Sequence, residues 1–192
     1  MKSITVFCGA SMGHSDEIKA AAAEMGRLIA KSGRTLVYGG GKVGLMGVIA
    51  DAALAEKGTV IGVIPRFMQK REVAHEGLSE LILVDTMHER KAIMADKADA
   101  FLAMPGGYGT LDELCEILTW HQIGLHRRPI GILNTMGYFD SLLTFFDDAV
   151  ESGFIPASLR AILLEAASPD KLLSLLEAHY TAVQPDESTA RT

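Results

Sequence analysis

Cysteine is scarce in this chain. Two thiols, Cys8 and Cys115, occur in 192 residues and match no metal-ligand spacing. That excludes a disulfide scaffold and a cysteine-based metal site, and it fits a reducing cytoplasm. Positive charge is also in deficit, with 18 Lys and Arg against 24 Asp and Glu and a formal net charge of −6. Non-specific nucleic-acid binders are basic, so no nucleic-acid partner is expected. A small phosphorylated ligand is not excluded, because a local nest of backbone N–H groups binds a phosphate whatever the global charge. Long apolar runs are missing too. None approaches the roughly 18 residues a membrane helix needs, and the opening "MKSITVFCGA" is too short and too weakly apolar for a signal peptide. A soluble, cytoplasmic protein with no membrane partner is expected. The six histidines show no H-E-x-x-H and no pair at ligand spacing, so no metal is expected.

What is present is 48% hydrophobic, enough for a sizeable core in one domain of this length. Short β-branched runs alternate with helical patterns. Strands are expected at 3–9, 35–40, 59–65, 81–84, 100–104 and 128–133. Helices are expected at 16–33, 44–58, 86–98, from the glycine loop to about 121, at 138–153 and at 170–180. Strands that are apolar throughout, alternating with helices, indicate a parallel sheet covered on both faces. The fold expected is α/β: a single Rossmann-like doubly wound parallel sheet with helices on both faces, filling residues 1–180. The polar tail 181–192 is expected to be disordered. The stretch "RFMQKREVAHEGLSE" (66–80) is longer than an ordinary connection. It is expected to form a lid or a site wall.

Two glycine loops stand at strand ends. In "YGGGKVGLMG" (38–47), Gly39, Gly41 and Gly44 satisfy G-x-G-x-x-G, and Gly40 lies between them. The context is wrong for a dinucleotide dehydrogenase. The loop follows the second strand rather than the first, and no ribose-binding acid follows the third. Nor is it a Walker A loop, because Lys42 is followed by Val43. Two readings remain: a tight strand–helix turn, or backbone approaching a phosphate or ribose. The second loop is "PGGYGT" (105–110), where Gly106, Gly107 and Gly109 leave N–H groups uncovered and Thr110 adds a hydroxyl. "CGAS" (8–11) offers Ser11 at the same sheet edge. Three small-residue loops at the carboxyl ends of parallel strands mark a ligand site.

Glu113 also has two readings. "TLDE" (110–113) matches a capping box, in which Glu113 only bonds back to a free N–H. Alternatively, Glu113, Glu116, Thr119 and Trp120 place carboxylates, a hydroxyl and an indole on one helix face beside a phosphate loop. Arg90 and Lys91 in "MHERK" could likewise be a solvated helix start.

Taken together, "YGGGKVGLMG", "MHERK" and "PGGYGTLDE" resemble the Lonely Guy family, whose signature P-G-G-x-G-T-x-x-E is matched completely by Pro105 to Glu113. The resemblance runs from about residue 3 to residue 180. It implies a cytokinin riboside 5′-monophosphate phosphoribohydrolase, which cleaves the N-glycosidic bond of a nucleoside 5′-monophosphate into free base and ribose 5-phosphate. Some bacterial members also act on AMP. The resemblance assigns Arg90 and Glu113 as the catalytic pair, with Lys91 beside them. It makes Glu72 a substrate contact, although the plant-type "PRE" context before it is absent. It assigns Gly106, Gly107, Tyr108, Gly109, Thr110, Leu111 and Asp112 to the phosphate and ribose cradle, with Thr119 lining the site. Many members carry Glu where Asp112 stands. Ser11, Gly40, Gly41 and Gly44 complete the expected substrate-binding set. No cofactor is implied, and a homodimer is, with Trp120 and the apolar stripes of the 86–98 and 109–121 helices as its interface. The label lysine decarboxylase that many members carry finds no support, because no arrangement here argues for a pyridoxal-phosphate lysine.

The chemistry agrees with the resemblance. Breaking the C1′–N bond develops positive charge on the ribose, which a carboxylate such as Glu113 stabilises while positioning or deprotonating water. The departing base gains negative charge, which Arg90 stabilises without protonating it, since a guanidinium pKa exceeds 12. Two rivals stay open: a nucleotide-binding sensor without catalysis, and a dehydrogenase. His88, in the "MHERK" motif, is the histidine closest to the expected chemistry.

Overall fold

The computed structural model describes residues 1–69 and 74–183. Its strands are Ser3–Phe7 (β1), Thr35–Tyr38 (β2), Val60–Pro65 (β3), Glu80–Val84 (β4), Ala100–Ala103 (β5), Ile130–Leu133 (β6) and Leu163–Ala166 (β7). Its helices are Asp16–Lys31 (α1), Gly44–Ala55 (α2), Met87–Asp96 (α3), Tyr108–Gln122 (α4), Asp140–Glu151 (α5), Ala157–Arg160 (α6) and Pro169–Val183 (α7). The strands form one sheet in the order β4-β3-β2-β1-β5-β6-β7, and every pairing is parallel. This is the Rossmann-like doubly wound α/β fold expected from the sequence.

Alternation along the strands separates two cores. Ile4 and Val6 of β1, Leu36 and Tyr38 of β2 and Leu102 of β5 pack under α1, α2 and α7. Phe7, Val37, Phe101 and Ala103 pack under α3, α4 and α5 on the opposite face. Both faces of each central strand are therefore buried, which is why these strands read as apolar throughout rather than as alternating.

The strand order reverses between β1 and β5. The chain runs outward from β1 to β4, returns to lay β5 on the free side of β1, then runs outward again. Loops leaving neighbouring strands toward opposite faces part at this point and open a crevice at the carboxyl edge. Two bonds hold the crevice floor together: Met104 N–H donates to the Phe7 carbonyl at 2.9 Å, and Gly9 N–H to the Pro105 carbonyl at 3.0 Å.

Three expectations need correction. The sequence indicates six strands, but β7 adds an edge strand over "LLEA". Its Leu, Glu and Ala are helix formers, and tertiary pairing with β6 overrides that preference. Residues 181–183 of the expected tail continue α7, and Thr181 donates to the Glu177 carbonyl at 3.0 Å. The rest of the tail, 184–192, lies outside the described residues. The 66–80 stretch, expected as a lid or a site wall, is no free lid where it is described, and residues 70–73 lie outside the described residues. Gly41 bridges Ala74, and His75 N–H donates to the Gly40 carbonyl at 3.0 Å.

Candidate active site

Four helices begin around the crevice. Helix α2 has no side-chain cap, but its Met46 N–H donates to the Gly9 carbonyl at 3.4 Å and its first residue, Gly44, lies against the Ala10 backbone. The other three differ in how they treat an anion. Helix α1 is closed to one. Its Ser15 side chain accepts from Ile18 N–H, and Asp16 and Glu17 fill its first turn with negative charge. Helix α3 is closed by a full capping box between Thr86 and Glu89. Helix α4 is open. Its N-cap is Gly107, no side chain caps it, and its first turn carries no acid. Among the described residues, nothing accepts from the N–H groups of Gly107, Tyr108, Gly109 or Thr110. These orphan donors and the positive end of the helix make an anion site.

The start of α4 at Tyr108 also removes the capping reading of Glu113. Thr110 is inside the helix and is not its cap, so "TLDE" makes no capping box. Two of the loop glycines are not needed by the fold. A Cβ added to Gly107 or Gly109 would meet nothing within 4 Å, and neither has positive φ. A turn that required glycine would show strain or crowding there. The space that these glycines leave open faces the cleft.

Arg90 turns inward from the first turn of α3. It is 6% exposed, while Glu89 beside it makes the cap and His88 is exposed. Its Nε–H donates to the Val63 carbonyl at 3.1 Å, and Nη2 donates to the Gly39 carbonyl at 3.4 Å. Nη1 lies 3.8 Å from Glu113 Oε1, with the two side chains 8% and 10% exposed. The reading of "MHERK" as a solvated helix start therefore holds for His88 and Glu89 and fails for Arg90. Gly39 is what admits the guanidinium, because a Cβ there would stand 2.0 Å from Arg90 Nη2.

The pair sits in a cleft of about 750 Å³. Of the expected residues, Ser11, Arg90, Gly106, Gly107, Gly109, Thr110 and Glu113 line it. Several residues that the sequence did not single out join them: Gly9, Met12, Gly13, His14 and Ser15 from the β1–α1 loop, Leu45 and Met46 from α2, and Tyr138 beyond β6. The signal for these was the same strand-edge rule that flagged Ser11. Without the strand order, nothing showed that the loops after β1 and β5 would be the two flanking the crevice. Cys8 lines the floor as well. Burial, reinforced by the Glu113 carboxylate and opposed by Arg90, pushes its thiol far above the ordinary range, so it stays protonated.

The remaining expected residues are placed elsewhere. Gly40 and Gly41 are buried behind the cleft, under the 74–75 segment. Gly44, at φ +63, presses on the β1–α1 loop, and a Cβ there would come within 2.4 Å of the Ala10 carbonyl oxygen. It supports the cleft without lining it. Tyr108 is 94% exposed. Leu111 packs into the core beneath α4. Lys91 pairs with Asp112 at 3.2 Å and Glu116 at 3.0 Å. Burial works against its charge, but the bonds and charges of those carboxylates outweigh it and raise its pKa. Lys91 and Asp112 thus tie α3 to α4. Thr119 donates to the Cys115 carbonyl at 2.8 Å and lines a separate apolar pocket of about 170 Å³ with Leu118, Phe146 and Ile155. Six residues further along α4, Thr119 stands about 120° around the helix from Glu113, so the two do not share the face expected for them. Glu72 lies outside the described residues.

Among the described residues no group of His, Cys, Asp and Glu could hold a metal ion, and no helix is long and apolar enough to cross a membrane.

The comparisons with known proteins fit this geometry. A family model described as "Possible lysine decarboxylase" matches residues 46–176. A cytokinin riboside 5′-monophosphate phosphoribohydrolase of Arabidopsis thaliana is 47% identical over 176 residues, covering 92% of this chain and 83% of that protein. A second Arabidopsis thaliana enzyme of the same name is 49% identical over the same length and shares. Among solved structures, the Moco carrier protein from Chlamydomonas reinhardtii superposes with a TM-score of 0.71 over 95% of this chain and 99% of that one. At 20% identity, that likeness shows the fold alone.

Proposed function

The chain belongs to the Lonely Guy family, and on that premise we propose how its cleft hydrolyses the N-glycosidic bond of a purine nucleoside 5′-monophosphate to free base and ribose 5-phosphate. The observation that carries the mechanism is the buried Arg90–Glu113 pair beside the uncapped start of α4. The 5′-phosphate binds the N–H groups of Gly107 to Thr110, with the Thr110 hydroxyl beside them. Helices α1 and α3 carry their own caps and cannot compete for it. Glu113 lies five residues into α4, about 7.5 Å along the axis from its start, a distance that a ribose 5-phosphate can span. Its carboxylate then meets the ribose at C1′. There it stabilises the oxocarbenium-like charge and orients or deprotonates the attacking water. Arg90, held by two backbone carbonyls, faces the departing base and stabilises its developing negative charge electrostatically. It donates hydrogen bonds but keeps its proton.

The description "Possible lysine decarboxylase" finds no counterpart in the site. Among the described residues no lysine lines the cleft, and Lys91 is engaged by two carboxylates. The base is an adenine, prenylated as in the cytokinin ribosides or unmodified as in AMP. The enzyme works as a homodimer in the cytoplasm. Two free thiols and the exposed Ile123 and Leu125 just beyond α4 support that setting.

Base release from a panel of adenine and prenyladenine nucleoside monophosphates tests the reading. Release from at least one of them is expected. A protein that binds the panel but releases no base over hours would be a nucleotide sensor, and the hydrolase reading would fall.

A further inference from the structure

Resting on the phosphate site proposed above, we infer that Tyr138 is a positioning residue that aims the Gly106–Gly107 peptide at the phosphate. Tyr138 belongs to the connection between β6 and α5, a segment that the sequence reading did not connect with the site. Its hydroxyl donates to the Gly106 carbonyl at 2.6 Å, and its ring lines the cleft.

The geometry of a trans peptide gives this bond its effect. The Gly106 carbonyl and the Gly107 N–H belong to one planar unit and point in opposite directions. Holding the carbonyl toward Tyr138 therefore sends the Gly107 N–H the other way, at the entrance of α4. Two consecutive glycines would otherwise let this plane rotate freely, since glycine has the widest backbone freedom. A donor into the carbonyl also polarises the amide and makes its N–H a stronger donor. Tyr138 thus orders the anion site before the ligand arrives.

The tyrosine is itself held firmly. Its ring meets Phe139 edge-on with centroids 5.0 Å apart, and Phe139 is 2% exposed. Phe139 N–H donates to Asn134 Oδ1 at 2.8 Å. Asn134 Nδ2 donates to Asp140 at 2.8 Å and to Glu165 of β7 at 2.7 Å. Within the connection, Met136 adopts φ +57, a left-handed conformation that a side chain of this kind rarely takes. Its Sδ lies 3.3 Å from Ser15 Oγ, the cap of α1. One strained connection, anchored through Asn134, therefore touches both loops that flank the crevice. At 49% exposure, Tyr138 gains little from burial that would explain its placement.

The test is Tyr138→Phe, which keeps the ring and removes only the donor. Ribose 5-phosphate affinity, measured by calorimetry and independent of turnover, is expected to fall roughly 3- to 10-fold, the equivalent of one lost hydrogen bond. The KM for a nucleoside 5′-monophosphate should rise by a similar factor and kcat should fall with it, because phosphate binding energy also orients the reacting centre. Competition by adenosine, which lacks the phosphate, should not weaken. Equal losses for ribose 5-phosphate and adenosine would make Tyr138 a general structural support and overturn the inference. Unchanged ribose 5-phosphate affinity in the variant would overturn it alone, leaving the phosphate site standing. A wild-type protein that does not bind ribose 5-phosphate would overturn both.

Discussion

Arg90 and Glu113 approach to 3.8 Å from different helices, α3 and α4, with both side chains nearly buried. A buried carboxylate needs a compensating charge, and here the compensation and the proposed chemistry use the same two groups. Removing the carboxylate charge separates these roles. Glu113→Gln keeps the shape and, since Glu113 caps no helix, should fold. Its rate of base release is expected to drop at least about 100-fold. Near-normal turnover would reduce Glu113 to the structural partner of Arg90.

Gly39 offers a test of Arg90 that leaves the arginine in place. In Gly39→Ala, the new methyl would stand 2.0 Å from Arg90 Nη2. The obstructed atom is the far end of a side chain rather than backbone, so the protein should fold with a moderate loss of stability from the disturbed Arg90–Glu113 pair. The guanidinium must move, and a displacement of about 1 Å at a reacting centre costs on the order of 100-fold in rate. Gly47→Ala is the contrast, because its methyl would meet the Lys42 carbonyl oxygen, a backbone atom, at 2.0 Å. That variant should lose stability first. Denaturant melts and rates on both variants check the distinction.

The glycines of the α4 entrance should behave in the opposite way. Gly109 lies within the first turn of α4, and a Cβ on it meets nothing. Gly109→Ala should therefore stabilise the protein, by up to about 1 kcal/mol, yet weaken the use of AMP by crowding the phosphate. In the wild type, charge-assisted bonds of roughly 1.5–3 kcal/mol each should favour AMP over adenosine by at least about 1000-fold. Binding energy from a remote group also serves to orient the reacting centre, so turnover should fall along with affinity. ATP should be poor as well, since the site closes around one terminal phosphate. Comparable rates from AMP and adenosine would remove the loop from the mechanism.

Acid should destabilise the fold through His126. Its Nε2 bonds the Ile117 carbonyl at 3.0 Å, and its Nδ1 accepts from Arg128 N–H at 3.2 Å. A proton on Nδ1 would face that donor. Burial pushes the His126 pKa down from 6.5 to about 4, and the nearby Arg128, His121 and Arg127 add to the shift. The folded value is below the unfolded one, so the unfolded chain binds more protons between them. Stability from this group is complete above about pH 6.5 and is lost as the pH falls toward 4, by about 2–3 kcal/mol. Urea midpoints measured from pH 7 to pH 4.5 should decline, and less steeply in His126→Gln.

Assembly can be read from mass. The chain weighs 20.6 kDa, and a homodimer should scatter light at twice that value. Single-chain mass at micromolar concentration would count against the dimer and against any site shared between two chains.

The sequence by itself determined the layer architecture and the chemistry available. Apolar runs announced β1, β2, β3 and β5, three of them with small-residue loops at their ends, since strands buried on both faces carry mostly apolar side chains. Gly106, Gly107 and Gly109 beside Glu113 announced an anion next to a carboxylate, because few other needs place those residue types together. Strand order was not legible, and from it follow the crevice between β1 and β5 and the entry of His14 and Tyr138 into its wall. The inward turn of Arg90 was equally hidden. "MHERK" reads the same whether or not its arginine faces water, and only the gap over Gly39 and the carbonyls of Gly39 and Val63 decide that it does not. The same holds for Gly44 and Thr119, whose residue types suit a site but whose positions support its wall or face away from it. Local pattern records what a segment can do, whereas contacts between segments distant in sequence decide which of those capacities meet.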